Sequence, residues 1–506
     1  LQRNVTGRID DTTTTFSYSS LSDFLANIPS QIQINFPLSQ FQLHMFQFGG
    51  YAQDAYRMTS NFTLNLGMRY DYWTVPKERD GRIFTRGASP LGPGTGALRP
   101  PSQMYQSYWP DFSPRAGFAW SLGSNRKTVV RGGFGMFFSP HTIRGGPIDD
   151  VLDSPYIPFR LTLNRSQALA MGLNFPVNKP AVAAQLIASQ SPVATTAFDD
   201  YFPNPYSMQW TMDIERNLGR GFVLDTGYVG TRGLHLNLDE QANLPNRLTG
   251  ITPDPTFGQF RYYQAADQSS YNGWQTSLER RFKSGLAFGA NYTWSRSFAY
   301  GDGDLDLQTQ VQDNNNWHAD HSPTVFDYPN QFSAHAVYIL PFDRWMGMTS
   351  RGAKLLAGGW QVSSILTAGS GSVLNVTNGS SSYPADRPDL LNGADAYFSN
   401  YTATLQYTNP AAFAQVPIVK ASGAQIRPGD LSRDFLRQPG SWNVDLSAAK
   451  NVAITERLNF QLRADFFNGL NHTNLGGLVA GINKSSFGRL TSATARTIQL
   501  GARLTF

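Results

Sequence analysis

The stretch "GDGDLDLQ" sets Asp302, Asp304 and Asp306 at alternate positions. Carboxylates spaced this way open calcium loops, because a hard cation takes several oxygen ligands from one turn. Counted from Asp302, the sixth position is Leu307 rather than glycine and the twelfth is Asp313 rather than glutamate. A solvated loop is therefore the better reading, with loop-bound calcium a weak candidate. "WHADH" offers His318, Asp320 and His321. Two imidazoles and a carboxylate are a ligand set for a transition metal. That spacing needs a helix or a turn, and Pro323 follows closely, so this candidate is weak too. No HExxH, GxSxG or glycine-rich phosphate loop occurs, and there is no cysteine to supply a thiolate. No catalytic residue and no required cofactor stand out, so an enzyme is not expected.

The remaining charges are regularly placed. In "FTLNLGMRYDYW", Phe62, Leu64, Leu66, Met68, Tyr70 and Tyr72 alternate with Thr63, Asn65, Gly67, Arg69 and Asp71. In "LNFQLRADFF", Leu458, Phe460, Leu462, Ala464 and Phe466 alternate with Asn459, Gln461, Arg463 and Asp465. The terminal "RTIQLGARLTF" sets Ile498, Leu500, Ala502, Leu504 and Phe506 against Gln499, Gly501, Arg503 and Thr505. A period of two puts such sets on opposite faces of a strand. The polar faces carry Arg69, Asp71, Arg115, Arg131, Asp213, Glu215, Asp225, Glu279, Arg281, Asp445, Arg463, Asp465 and Arg503.

The pattern predicts roughly thirteen strands, most about ten residues long or a little longer, the length of a tilted membrane-spanning strand. They fall near 41–57, 60–73, 111–121, 127–139, 206–217, 221–232, 273–282, 285–298, 329–341, 358–370, 441–453, 456–469 and 495–506. Their connections alternate in length. Tight turns ("RMTSN", "SLGSNRK", "NLGRG", "FKSG", "ITER") alternate with long segments near 74–110, 140–205, 233–272, 299–328, 371–440 and 471–494. Only 342–357 is of medium length. Short turns at one rim and long loops at the other are the habit of an outer-membrane barrel. The long loops then face outward and the last strand runs from outside to periplasm. Tyr70, Tyr72, Tyr292 and Trp294 fall at the loop-side ends of apolar faces, and Tyr56, Phe282 and Phe506 near the other ends. That placement fits two interfacial girdles. Glycines in "GRGFVLDTG" and "RGGFGMFF" are expected to ease curvature of the wall. Loop aromatics Trp109, Tyr156, Phe202, Tyr262, Tyr263 and Trp317 either stack on a ligand or pack loops together.

Composition agrees with a membrane wall. Charged residues make up 15% of the 506 and aromatics 13%. Few charges and many aromatics suit a surface built from Asn, Gln, Ser, Thr and Gly. The net charge is +5 without a dense Lys/Arg run, which is no nucleic-acid footprint. No run of 18 apolar residues occurs, so no transmembrane helix is expected. No signal peptide opens the chain, which starts at Leu1. If apolar faces meet lipid, the charges listed above line a lumen. Both signs occur there, which suits contact with a folded plug better than a pore for one ion type.

The order of motifs resembles the C-terminal barrel portion of TonB-dependent outer-membrane receptors, in particular the Oar-like branch. The stretches that carry the resemblance are "FGGYAQDAYRMTSNFTLNLGMRYDYW", "FSPRAGFAWSLGSNRKTVVRGGFGMFF", "NPYSMQWTMDIERNLGRGFVLDTGYVGTRGLHL", "GWQTSLERRFKSGLAFGANYTWSRSF", "GGWQVSSILTAGSG", "ITERLNFQLRADFFNGLNHTNLG" and "FGRLTSATARTIQLGARLTF". The resemblance implies an all-β antiparallel transmembrane barrel in the outer membrane of a Gram-negative bacterium. It further implies energised uptake of a large ligand: oligosaccharide, peptide or metal chelate. The family's barrel has 22 strands around a plug. The expected organisation is therefore an extracellular lead-in over 1–40 and a C-terminal portion of the barrel over 41–506. The plug, the N-terminal sandwich domain and the first strands are absent from this chain. Implied partners are outer-membrane lipid, the TonB complex through the missing plug, and the assembly machinery that reads a terminal aromatic, here Phe506. Two other classes stay open. One is a passive channel or a structural or adhesive surface protein on the same barrel; the other is a soluble β-rich hydrolase.

Overall fold

In this computed structural model the described residues are 2–6, 14–35, 43–79, 85–86, 98–99, 104–141, 160–188, 196–254, 260–301, 311–378 and 383–506, apart from 384, 392, 421 and 456. Thirteen long strands form one antiparallel sheet, each hydrogen-bonded to the next in sequence. They are β1 (Leu43–Arg57), β2 (Phe62–Trp73), β3 (Asp111–Leu122), β4 (Thr128–Phe138), β5 (Tyr206–Gly219), β6 (Phe222–Ala242), β7 (Phe260–Lys283), β8 (Leu286–Ala299), β9 (Asn330–Leu340), β10 (Trp360–Gly369), β11 (Ser441–Ala453), β12 (Asn459–Phe467) and β13 (Thr497–Thr505). A short strand that the alternation did not reveal, Gln2–Thr6, pairs antiparallel with β1. Among the described residues nothing pairs this strand with β13, so the sheet has two free edges.

Each strand of the alternation reading has its counterpart, because period-two patterning over ten residues leaves a helix no coherent face. Two strands run further than the sequence indicated. Residues 233–272 read as a loop, yet β6 continues to Ala242 and β7 begins at Phe260. The cause is a pair of register shifts between Gly233 and Leu238, with His235 at φ 56. A bulge reverses which residues face which side while the ladder persists, so a period of two no longer assigns faces beyond it. At 21 residues β6 is about twice what the hydrocarbon core requires. Its far half, with that of β7, runs on beyond the ends of the neighbouring strands β5 and β8.

The short turns are tight hairpins. Arg220 and Gly221 (φ 55 and 90), and Ser284 and Gly285 (φ 53 and 81), are two-residue turns with both residues left-handed. Such turns match the twist of the flanking strands. Strand glycines do something more specific than ease curvature. Gly132 lies beneath the ring of Phe118, Gly230 beneath Trp210 and Gly289 beneath His335, where a Cβ would collide with the ring.

Directly opposed residues share a face, so the register carries one apolar surface around the sheet. Leu66, Met68, Met212, Ile214, Trp274, Trp294, Leu462 and Leu500 lie on it and are all exposed. Aromatics mark both its borders. Tyr70 packs against Phe112 and Phe138 against Tyr206 at the long-loop end, and Phe62 against Trp120 at the short-turn end. No helix among the described residues is long and apolar enough to cross a membrane.

The long loops are folded. Segments from 371–440 and 471–494 build a lobe around Val376, Phe413, Leu431, Leu436, Phe487 and Leu490, all buried. A second small sheet joins Thr14–Ser17, Gln31–Asn35 and Arg160–Asn164 over a core of Ile32, Ile34 and Leu163.

Candidate functional site: the polar face and its outer mouth

The charged residues read from the alternation fall on the face opposite the apolar one. Arg69, Asp71, Arg115, Arg131, Asp213, Glu215, Asp225, Glu279, Asp445, Arg463, Asp465 and Arg503 stand at register positions that share this face from strand to strand. Arg281 is next to the β7–β8 irregularity between Arg280 and Lys283.

The register brings several of them together. Arg69 holds both oxygens of Asp71 at 2.6 and 2.7 Å. Arg131 reaches Glu215 at 2.9 Å and Asp213 at 3.5 Å. Arg463 Nε donates to Asp465 at 2.7 Å, and Asp445 accepts from Asn443 at 2.7 Å and from the Asn468 amide at 2.9 Å. Arg115 lies 4.6 Å from the centre of the Phe137 ring. Opposite charges thus pair along and across neighbouring strands, and the face offers no single-sign track.

Above this face the protruding ends of β6 and β7 meet two other segments. Arg247, just past β6, donates to both oxygens of Asp386 at 2.8 and 2.9 Å, and its guanidinium stacks 3.8 Å from the Tyr383 ring centre. Tyr383 donates its hydroxyl to the Pro245 carbonyl at 2.6 Å. Gln312 bridges onward: its amide nitrogen donates to the Gly429 carbonyl and its oxygen accepts from the Arg387 amide. Arg387 is buried against Asp320, whose other oxygen accepts from the Gln312 amide at 2.9 Å.

This scaffold encloses a cavity of about 620 Å³. Glu240, Tyr262 and Gln264 line it from the two strands, Asn246 and Arg247 from the loop, and Asp313, Asn314, Trp317 and Tyr383 from the facing segments. Its chemistry is amide, carboxyl and aromatic. Among the described residues the one cation lining it is Arg247, which is bonded to Asp386. Burial pushes the Glu240 carboxyl up to about 7, with Asp239 and Asp313 adding repulsion and a Gln264 hydrogen bond opposing. Burial likewise raises the Tyr262 phenol. Glu240 is therefore poised between donor and acceptor near neutral pH.

The metal readings fare differently. Asp302, Asp304 and Asp306 lie outside the described residues. Asp320 is taken by Arg387. His321 packs on Tyr300 and Phe298, and His318 on Trp317. No three His, Asp or Glu side chains gather as a metal site among the described residues. Of the loop aromatics, Phe202 and Tyr263 are core, packed with Leu43, Met104 and Phe198. Tyr262 and Trp317 line the cavity, Trp109 is exposed, and Tyr156 lies outside the described residues. Sequence reasoning missed Glu240, Arg247, Tyr383 and Asp386. One signal for Glu240 was available: in "LHLNLDEQ" Leu234, Leu236 and Leu238 alternate across His235, so a strand leading up to Glu240 could have been read there.

Phe506 follows β13 directly and is 95% exposed.

Residues 2–499 match the family model described as outer membrane beta barrel domain. Among solved structures, the outer membrane transporter YddB from Escherichia coli is similar at 12% identity and a TM-score of 0.50, over 94% of this chain and 47% of that one. The ferric-catecholate import receptor Fiu from E. coli K12 matches at 12% identity and a TM-score of 0.43, over 94% of this chain and 50% of that one. The copper transporter OprC matches at 12% identity and 0.42, over 93% and 49%. The chain spans about half the length of these structures. The comparison with curated proteins gives no match.

Proposed function

The chain belongs to the outer membrane beta barrel domain family, and from that premise we propose that it is the barrel portion of a TonB-dependent receptor of the Oar-like branch. Its place is the outer membrane of a Gram-negative bacterium. In this reading the apolar face meets lipid, the paired charges of the polar face line the lumen against a plug, and TonB acts on that plug. The exposed apolar face carried around the sheet supports it. The terminal aromatic Phe506 is the element read by the assembly machinery.

One observation carries the ligand assignment: the cavity at the outer mouth. A site for an anionic chelate would present free cations, whereas this one presents carboxyls and an arginine already spent. Amides and carboxyls beside the Trp317 and Tyr262 rings suit a neutral polyhydroxyl chain, whose hydroxyls need mixed donors and acceptors and whose ring faces stack on aromatics. The proposed cargo is therefore a neutral oligosaccharide, in preference to a peptide or a metal chelate.

The test is saturable quenching of tryptophan fluorescence by cellohexaose, maltohexaose and xylohexaose, followed by cellular uptake of whichever binds. Trp317→Ala is expected to weaken binding about tenfold, ~1.4 kcal/mol. Uptake should stop when the inner-membrane proton gradient is collapsed. Uptake that survives the collapse would replace active import with a passive channel.

A further inference from the structure

The medium-length connection between β9 and β10 folds as two short helices, α1 (Phe342–Trp345) and α2 (Arg351–Ala357). Where it sits is decided by one side chain. Lys450 is on β11 directly opposite Trp360, in register with Val362, Val444, Leu446 and Trp442, and so on the apolar face. Its Nζ donates to the carbonyls of Leu355 and Leu356 at 2.8 and 2.9 Å, and to that of Gly358. It also lies 5.4 Å from the centre of the Trp360 ring. The C-terminal end of α2 is thereby drawn over the outer wall instead of the lumen mouth. Carbonyls left without partners at a helix end are the natural acceptors for a lysine.

What the hairpin presents is apolar. Leu356 is 80% exposed, Trp345 60% and Met346 55%. Three large apolar side chains within twelve residues of an otherwise tight-turned rim are costly in water. Trp360 and Val362, at the start of β10 where the hairpin ends, are exposed as well. A cation on a membrane wall is tolerated near the interface, where its stem stays in apolar surroundings and its head finds polar partners. Lys450 has that arrangement, with its polar partners supplied by the hairpin.

We propose that the 342–357 hairpin lies in the periplasmic leaflet, at the boundary of headgroups and acyl chains, held there by Lys450. Trp345, Met346 and Leu356 enter the lipid. The barrel wall is thus extended by a helical element parallel to the membrane, as amphipathic interfacial helices lie. The occupant of the apolar surface is phospholipid. This inference needs the apolar face to meet lipid but is independent of the ligand and of TonB.

The chain contains no cysteine, so a single introduced one is unique. Leu356→Cys and Met346→Cys, each labelled with an NBD fluorophore, are compared with Ser60→Cys in the β1–β2 turn, in phosphatidylethanolamine–phosphatidylglycerol vesicles. The labels at 346 and 356 should emit blue-shifted and be reduced by aqueous dithionite at least about threefold more slowly than the label at 60. Adding Lys450→Met should abolish that protection at 356. Equal reduction rates at all three sites overturn the proposal. So does protection at 346 and 356 with no quenching of either label by phospholipids carrying a nitroxide spin label on the acyl chain, which would mean a protein contact. Protection at 356 that survives Lys450→Met overturns the anchoring role of Lys450.

Discussion

Arg247 and Asp386, 139 residues apart, are joined by two hydrogen bonds of 2.9 and 2.8 Å, and the Asp386 side chain is fully buried. This pair ties the top of the wall to the outer lobe and closes one side of the cavity. Removing one partner of a buried pair strands the other, at a cost of about 3–5 kcal/mol for full burial. Arg247 is partly exposed, so Arg247→Ala is expected at the low end. The loss should be local. Outer-loop cleavage by protease should accelerate and oligosaccharide affinity should fall at least tenfold, ~1.4 kcal/mol. Heat-modifiable migration of the barrel should be unchanged.

Glu240 makes the mouth pH-sensitive. Its carboxyl is raised from 4.5 to about 7 by burial. Between those values the folded form keeps a proton that the unfolded form has released. Its contribution to stability is present below about pH 4.5 and is lost as pH rises to about 7. Glu240→Gln removes this loss. Compared with the parent protein at pH 4 and pH 8 by loop proteolysis and thermal melting, the variant should gain up to about 3 kcal/mol of relative stability at the higher pH. An equal difference at both pH values would count against a raised Glu240.

Arg463 is the sharpest probe of which face meets lipid. Its side chain is 55% exposed and pairs with Asp465 at 2.7 Å. An exposed pair of this kind contributes about 0–1 kcal/mol. Arg463→Leu should therefore change urea unfolding in vesicles by no more than about 1 kcal/mol. A gain of about 2–4 kcal/mol is the signature of an arginine relieved from the bilayer midplane, and would reverse the assignment of faces.

The complementary change is on β13. Leu500 is 78% exposed and opposes Ala464 on the apolar face, while its neighbour Gln499 opposes Asp465 on the other. Leu500→Arg should destabilise the assembled sheet by about 2–4 kcal/mol in vesicles. Gln499→Arg should be near neutral, because it adds a cation beside a carboxylate.

The sequence by itself determined the wall. Alternation over ten residues can satisfy only a strand with two different solvents, and tight turns at one rim settled which strands pair and in which direction. For Arg69, Asp71, Arg131, Glu215, Arg463 and Asp465 the face followed from parity alone, since a strand's side chains have only two directions to choose from. Where a bulge at His235 broke that parity, the reading stopped short, and the upper halves of β6 and β7 went unseen. The cavity as a whole could not be read, although Tyr262 and Trp317, two of the rings that line it, stood among the loop aromatics. Glu240, Trp317 and Tyr383 come from three segments far apart in the chain, and no local period relates one to another. Their meeting depends on the folded lobe and on the Arg247–Asp386 and Arg387–Asp320 contacts. Those are matters of tertiary packing, in which long-range partners are chosen by shape and charge together and leave no mark of their own in the sequence near either partner.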